Sequence, residues 1–121
     1  MTRRTERVND LLREAVSEIL SGGLNDPRMA TLVSVIRVDA SPDLGRARVY
    51  VSIMGGQDDK SNTMRALKSA SGYIRRKLRD RVDLRKTPAL EFRLDETIER
   101  GTKVLKLIAR VAPEPESDDG Q

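Results

Sequence analysis

The sequence predicts an α+β domain in which helices cover one face of a three-stranded sheet. Segments with hydrophobic residues every three or four positions alternate with segments that have them every second position, in the order α-β-β-α-α-β and then a further short segment. The chain has 121 residues, which suits one domain with a core of its own. We expect this domain to span residues 1–111 and a separate acidic tail to follow at 112–121.

The first predicted helix spans residues 3–21. Thr2 or Thr5 is placed to cap its start, and Gly22-Gly23 ends it. The turn Asn25-Asp26-Pro27-Arg28 follows, because proline fixes its own φ and Asn or Asp side chains bond nearby backbone groups. The apolar stripe of the helix consists of Val8, Leu11, Leu12, Ala15, Val16, Ile19 and Leu20.

Three segments have the pattern of strands. In residues 32–38 the apolar phase slips by one position, which indicates a bulge. The loop Ser41–Gly45 joins this strand to the next as a hairpin. The third strand alternates Leu90, Phe92 and Leu94 with charged residues. The second strand alternates most cleanly, with Ala47, Val49, Val51 and Ile53 on one face and Arg46, Arg48, Tyr50 and Ser52 on the other.

The segment between the second and third strands is helical from about Ser61 to Val82. Gly72 lies in its middle, where a glycine weakens a helix by about 1 kcal/mol relative to alanine. We therefore expect two short helices that meet at a kink near Ala70-Ser71-Gly72. After the third strand, residues 98–111 fit either a short helix or an extension of the strand. The tail at 112–121 has two prolines, four acids and nothing apolar to bury, so we expect it to be disordered.

Composition excludes several kinds of chemistry. The chain has no Cys, His or Trp, so disulfides, thiolate or imidazole catalysis and His/Cys metal sites are excluded. The carboxylate pairs lie in a loop and in the tail, where solvated acids are the usual case. The first residues lack the apolar segment that a signal peptide needs, and no apolar run approaches membrane-spanning length, so we expect neither a signal peptide nor a membrane span. We expect a cytoplasmic protein that is not an enzyme and that has no metal, no cofactor and no small-molecule substrate.

Charge points to a polyanionic partner. The acidic tail contains four acids and no base, which leaves residues 1–111 with 23 bases, 15 acids and a charge of +8. Most of this excess lies within residues 61–86, where Arg dominates and like charges recur four residues apart, an arrangement that destabilises a helix. We expect these bases to bind nucleic-acid phosphates, although a solvated helix face is the alternative. The candidates are Arg65, Lys68, Arg75, Arg76, Lys77, Arg79, Arg81, Arg85 and Lys86.

Secondary basic candidates lie elsewhere in the chain. Arg46 and Arg48 either extend the nucleic-acid surface or protect an edge strand. Arg28 stands beside a turn, from which it can reach a phosphate. Arg3, Arg4 and Arg7 form a weaker group that acids dilute, so a solvated surface is the preferred interpretation there.

Several motifs in order resemble a known family. The predicted element order is that of a type II KH domain, but Ala70-Ser71-Gly72 stands where such a domain has its Gly-x-x-Gly loop. Together with four further motifs this closely resembles bacterial ribosome-binding factor A, from about Thr2 to Ile108. These motifs are Asp26-Pro27-Arg28, residues 38–44, residues 47–51 and residues 84–92.

The resemblance implies a non-enzymatic assembly factor. Such proteins bind the immature small (30S) ribosomal subunit, assist late maturation of 16S rRNA including its 5′ end, and are needed for growth in the cold. It also implies a helix–kink–helix in place of the KH loop and an RNA face on Arg75, Arg76, Lys77, Arg79 and Arg81. We expect a monomer whose partners are the small subunit and 16S rRNA, with no membrane partner. The alternative is a general nucleic-acid-binding protein of the nucleoid or of RNA.

Overall fold

A computed structural model describes residues 3–22 and 33–111, which form three helices and a three-stranded sheet. The turn at 25–28 with Arg28, and the acidic tail at 112–121, lie outside the described residues. The elements are α1 (Arg3–Ser21), β1 (Val33–Ala40), β2 (Arg46–Ile53), α2 (Gln57–Arg81), β3 (Ala89–Leu94) and α3 (Thr97–Val111).

The sheet has the strand order β1-β2-β3. β1 and β2 are antiparallel and joined by the predicted hairpin loop, whereas β2 and β3 are parallel and connected through α2. The register of β1 shifts between Val35 and Arg37, which confirms the predicted bulge. Beyond this shift, Val38 is buried opposite Val49 in the core.

The core lies between the helices and one face of the sheet. The predicted inward residues of β2 are all buried, and they share one apolar cluster with α1 and α2. Leu12 of α1 and Leu67, Ile74 and Leu78 of α2 are fully buried there, and burial of each such side chain contributes about 1.5–3 kcal/mol. The opposite face of β2 is exposed or half-buried. The predicted α+β, KH-like arrangement with helices on one face is therefore confirmed.

The expectation of two short helices between β2 and β3 is wrong, because α2 is one continuous helix of 25 residues. The Ser71 hydroxyl donates to the Lys68 carbonyl oxygen at 2.9 Å, inside the helix. Buried residues on both sides of Gly72, namely Leu67 and Ile74, pack into the same core. Packing along the whole stripe thus outweighs the low helix propensity of one glycine, and the kink motif lies inside a continuous helix.

α2 also begins earlier than predicted, at Gln57. Asp59 Oδ2 accepts a hydrogen bond from the Gly56 amide at 3.2 Å, so this acid caps the helix instead of lying in a loop. Gly55 has a φ of +129°, and a Cβ there would meet Asp59 Oδ2 at 2.5 Å. The glycine is required because an L side chain would displace the capping carboxylate.

The segment after β3 is a helix, which decides between the two predicted alternatives. A buried Lys60 Nζ pairs with Glu96 Oε2 at 3.1 Å just before α3, and the Thr97 amide donates to Asp95 Oδ1 at 2.8 Å. Among the side chains of α3 that the structure describes, four large apolar ones are more than half exposed. They are Val104, Leu105, Leu107 and Ile108.

Of the helices in the described ranges, none is both long and apolar enough to cross a bilayer.

Candidate nucleic-acid interface

The C-terminal half of α2 and the loop after it enclose a hollow of about 340 Å³. Buried Ile74 and Leu78 determine which side of the helix faces the core, so the residues between them point outward. Four of the lining residues are arginines and none is acidic. We call this the arginine hollow, and its lining residues are Gly72, Arg75, Arg76, Arg79, Leu84, Arg85 and Thr87.

Arg75 holds one wall of the arginine hollow in place. Its Nε and Nη2 donate to the Thr87 carbonyl oxygen at 3.1 and 2.7 Å, and Nε also lies 3.2 Å from the Pro88 carbonyl oxygen. These charge-assisted bonds tie the loop before β3 to α2. Arg75 was predicted as an RNA-binding residue, which stays a prediction, and the structure shows that it positions the loop before β3.

Arg76, Arg79 and Arg85 carry the uncompensated charge of the hollow. All three are exposed, and none makes an ion pair or a side-chain hydrogen bond with a described residue. Each guanidinium presents five N–H donors in a planar fork that matches phosphate oxygens. Because Arg79 also lies in the last turn of α2, its charge is stabilised by the negative end of the helix dipole. The hollow is therefore built to accept an anion.

Two further predicted residues of α2 point away from the hollow. Arg81 Nη1 pairs with Glu18 Oε1 of α1 at 3.2 Å, which links the two helices. Lys77 Nζ lies 5.6 Å from the ring centroid of Tyr73, one turn earlier, and both side chains are exposed. Arg81 and Lys77 therefore lie beside the arginine hollow and do not line it.

Lys86 lies beyond the hollow, close to the hairpin loop. The pKa of Asp43 in that loop is lowered mainly by the hydrogen bond from the Gly45 amide and next by that from the Ser41 hydroxyl, and the charge of Lys86 adds to the effect. The two hydrogen bonds are 2.9 and 2.7 Å long. Asp43 thus serves turn geometry, and the charge of Lys86 acts on it.

Arg65 and Lys68 belong to a different surface. They line a groove of about 720 Å³ between α2 and β3. Ser71 lines this groove, whereas Gly72 lines the arginine hollow, so the predicted kink motif stands between the two. Ala70, its third residue, is half-buried against the core. The apolar lining of the groove consists of Met64, Leu90, Phe92 and Leu94.

Arg46 and Arg48 lie on the open face of the sheet, where sequence reasoning missed a third arginine. Arg93 of β3 donates to Glu91 from both Nε and Nη2, the first at 3.1 Å. Arg46 Nη1 lies 3.6 Å from Glu91 Oε2, and Arg48 Nε lies 3.9 Å from Glu91 Oε1. These four residues form what we call the open-face cluster. The hydrogen bond from Arg93, followed by the charges of Arg93, Arg46 and Arg48, lowers the pKa of Glu91.

Of the other secondary candidates, the structure describes the side chain of Arg7 alone, which lines neither the arginine hollow nor the α2–β3 groove. Arg7 is exposed on α1. The side chains of Arg3 and Arg4, and the whole of Arg28, lie outside the part of the chain that the structure describes. Their predicted contacts with RNA stay predictions.

The described carboxylates form no catalytic or metal-binding constellation. Within residues 3–22 and 33–111, no three acidic side chains gather so as to hold a metal ion. Asp39 Oδ2 lies 3.4 Å from Arg37 Nε, and Arg37 also covers the Tyr50 ring at 3.9 Å from its centroid. What the arrangement offers chemically is phosphate binding through guanidinium groups.

Comparison with known proteins identifies the family. A model of the family described as ribosome-binding factor A matches residues 4–108. The chain belongs to this family. Curated members include a protein of Acetivibrio thermocellus, 45% identical over 105 residues that make up 87% of this chain and 85% of that protein. A member from a Nostoc species is 47% identical over 118 residues, which are 97% of this chain and 89% of that protein.

Solved structures of the family have the same fold. The crystal structure of ribosome-binding factor A from Thermus thermophilus matches with a TM-score of 0.66 and 30% identity, over 74% of this chain and 93% of that one. The solution NMR structure of a Thermotoga maritima protein, named a ribosome binding factor A homologue by similarity, matches with a TM-score of 0.69 and 30% identity, over 80% and 92% of the two chains. A homology model of the Thermus protein, fitted into a cryo-EM map of its complex with the 30S subunit, matches with a TM-score of 0.61 and 31% identity over 72% of this chain and 90% of that one.

Proposed function

We propose that this protein is a ribosome assembly factor that binds the immature small (30S) subunit through the arginine hollow. The observation that carries the proposal is the group of Arg76, Arg79 and Arg85, which line one hollow without any acidic residue among its lining. Membership of the ribosome-binding factor A family supports the choice of partner. The Thermus relative, fitted into a map of a 30S complex, supports it further.

Binding in the hollow depends on the RNA backbone. Phosphate oxygens fit the guanidinium forks, and contacts to phosphate fix the position of the RNA without reading its sequence. α2 runs without a break through residues 70–72, so it offers no Gly-x-x-Gly loop to clamp a single strand as ordinary KH domains do. Contact with folded 16S rRNA by shape and phosphate is the mode that fits this surface.

The effect on the subunit is binding and reshaping of RNA without cleavage. We propose that the protein assists late maturation of 16S rRNA, including its 5′ end, that it acts as a cytoplasmic monomer, and that its loss impairs growth in the cold. Residues 1–111 would supply the RNA-binding domain, and the acidic tail would stand apart from it. The remaining basic residues of α2 would border the bound RNA, and Arg65 and Lys68 would contact it from the α2–β3 groove.

Sedimentation with purified immature small subunits tests the proposal. The variant Arg76→Gln/Arg79→Gln/Arg85→Gln should bind about 100-fold more weakly, because charge-assisted hydrogen bonds contribute about 1.5–3 kcal/mol each and are not additive. The slope of log affinity against log salt should fall by about 2–3, as expected for three lost phosphate contacts. The matched control Arg100→Gln/Lys103→Gln/Lys106→Gln removes the same charge from exposed positions of α3 and should keep most of the affinity.

Two outcomes would overturn this proposal. Undiminished binding by the hollow variant would place the RNA contact elsewhere. Equal affinity of the wild-type protein for small subunits and for duplex DNA would favour a general nucleic-acid-binding protein. For the role in maturation, cells that lack the protein should accumulate 16S precursor with an unprocessed 5′ end, measured by primer extension, and the hollow variant should fail to restore processing.

A further inference from the structure

The open-face cluster gathers three arginines around one carboxylate. Arg46 and Arg48 extend from alternate positions of β2, and Glu91 and Arg93 do so from the neighbouring parallel strand β3. The register places Arg48 opposite Glu91 and Tyr50 opposite Arg93. All four side chains therefore lie on the face of the sheet that no helix covers in the described ranges.

Charge in this cluster is only partly compensated. Three guanidinium groups and Glu91 carry a net charge of +2, and Asp39, which lies opposite Arg48 on β1 and lines one surface pocket with Arg46 and Arg48, lowers it to +1. Like charges held this close destabilise one another unless an anion joins them. Arg37 on the same face has two carboxylates within 4 Å, Asp39 at 3.4 Å and Asp95 at 3.7 Å, whereas Arg46, Arg48 and Arg93 share Glu91.

Arg46 and Arg48 keep their hydrogen-bonding capacity. Their distances to Glu91, 3.6 and 3.9 Å, exceed hydrogen-bond length, and their side chains are 74% and 60% exposed. Glu91 instead accepts from Arg93, whose guanidinium it orients. The cluster thus holds its arginines near one another before any ligand arrives, which reduces the entropy lost on binding.

We propose that the open-face cluster is a second phosphate-binding site for RNA, with Arg46 and Arg48 as direct contacts and Glu91 as the residue that positions Arg93. The arginine hollow lies in the helix layer, and the cluster lies on the opposite face of the sheet. Two sites that face different directions allow one protein molecule to hold two RNA segments at once. This inference rests on the proposed function, and it extends that function from RNA binding to RNA bridging.

A bridging assay tests the second site. One RNA hairpin is fixed to beads, and capture of a second, fluorescent hairpin is measured with and without protein. The wild-type protein should capture the second RNA, and Arg46→Gln/Arg48→Gln should reduce capture about tenfold while it keeps most of its affinity for a single hairpin. The matched control Lys103→Gln/Lys106→Gln removes two charges from exposed sites on α3 and should bridge normally.

The sign of one change separates positioning from net charge. Glu91→Gln makes the protein more positive by one charge but removes the carboxylate that orients Arg93, so it should lower bridging about threefold, whereas net charge alone would raise it. In the background of the hollow variant, Arg46→Gln/Arg48→Gln should abolish the remaining RNA binding. Wild-type bridging by Arg46→Gln/Arg48→Gln overturns the second site, whereas normal subunit binding by the hollow variant overturns the proposed function.

The assay also separates RNA from protein as the ligand of the cluster. If Arg46→Gln/Arg48→Gln bridges RNA normally but loses affinity for intact small subunits, the cluster contacts a ribosomal protein, and the RNA proposal is wrong. If neither protein nor RNA binding changes, the cluster is a solvated lattice of ion pairs, which is equally contrary to the proposal.

Discussion

The arginine hollow and the open-face cluster are both rich in arginine, yet they differ in what surrounds the guanidinium groups. Arg76, Arg79 and Arg85 have no acidic neighbour among the residues that line the hollow. In the cluster, one carboxylate, Glu91, lies within 4 Å of all three arginines. Neighbouring acids, more than the number of bases, decide how strongly a surface attracts a polyanion.

An acid placed inside the hollow should erase this difference. Thr87→Glu introduces a carboxylate among the hollow arginines, as Glu91 does in the cluster, and should weaken binding to immature small subunits about 30-fold (~2 kcal/mol). Ser69→Glu makes the same change of charge at an exposed position of α2 outside the hollow. Affinity should be measured by sedimentation at fixed salt. Equal losses in both variants would mean that net charge alone governs binding.

Variants of Arg75 and Arg76 distinguish a residue that positions the loop before β3 from one that binds RNA. Arg75→Gln removes the bonds to the Thr87 and Pro88 carbonyl oxygens and should lower the free energy of unfolding by about 1 kcal/mol, a value reduced because the side chain is exposed. Arg76→Gln should leave stability within about 0.5 kcal/mol and weaken RNA binding only. Urea unfolding and hydrogen exchange at Ala89 should be compared. Unchanged stability of Arg75→Gln would contradict its positioning role.

Gly72 borders the hollow and tests the continuity of α2. A Cβ at this position would lie 3.7 Å from Arg76 Nη1, an ordinary contact, so Gly72→Ala fits the helix. The substitution should raise the free energy of unfolding by about 0.5–1 kcal/mol, because alanine loses less backbone entropy than glycine on folding. Thermal unfolding measures this change. A loss of stability would show that residue 72 needs a conformation outside the α-helical region.

The smallest effect concerns the titration of Glu91 in the open-face cluster. Its pKa lies below the ordinary 4.5, first because of the hydrogen bond from Arg93 and then because of the arginine charges. The ion pairs therefore contribute stability at neutral pH, and this contribution is lost as the pH falls below about 4 and through the lowered pKa. NMR titration should show the pKa rising toward its ordinary value in Arg93→Gln and less so in Arg46→Gln/Arg48→Gln. An identical pKa in all three proteins would show that the arginines do not act on Glu91.

Much of the fold could be predicted because hydrophobic residues recur every three or four positions in the helices and every second position in the strands. The apolar stripe of α1, which includes Val16, predicts both that helix and its buried face. The alternation of apolar and polar residues in β2, which includes Val49, does the same for that strand. The start of α2 was missed, since the Gly55-Gly56 pair reads as a loop although Asp59 caps the helix from within. The predicted break at Gly72 failed because tertiary packing on both sides overrides a local propensity.

The sites were predictable only in part. The outward direction of Arg76 and Arg79 follows from the buried positions of Ile74 and Leu78. The link from Arg75 to Thr87 crosses an irregular loop, for which no periodicity exists in the sequence. Arg93 joins Arg46 and Arg48 only through the parallel pairing of β2 with β3, which a strand pattern does not specify.

The connection between β2 and β3 also bears on how the protein folds. The hollow combines arginines of α2 with a loop that is held in place at Thr87 by Arg75 and at Ala89 by the Gly45 carbonyl oxygen. Of these two contacts, that between Ala89 and Gly45 joins residues far apart in sequence, so forming it costs the entropy of closing the intervening chain into a loop. A peptide of residues 57–81 would carry most of the arginines without the hollow. The shape of the arginine hollow is therefore a property of the complete fold, which includes β3 in the sheet.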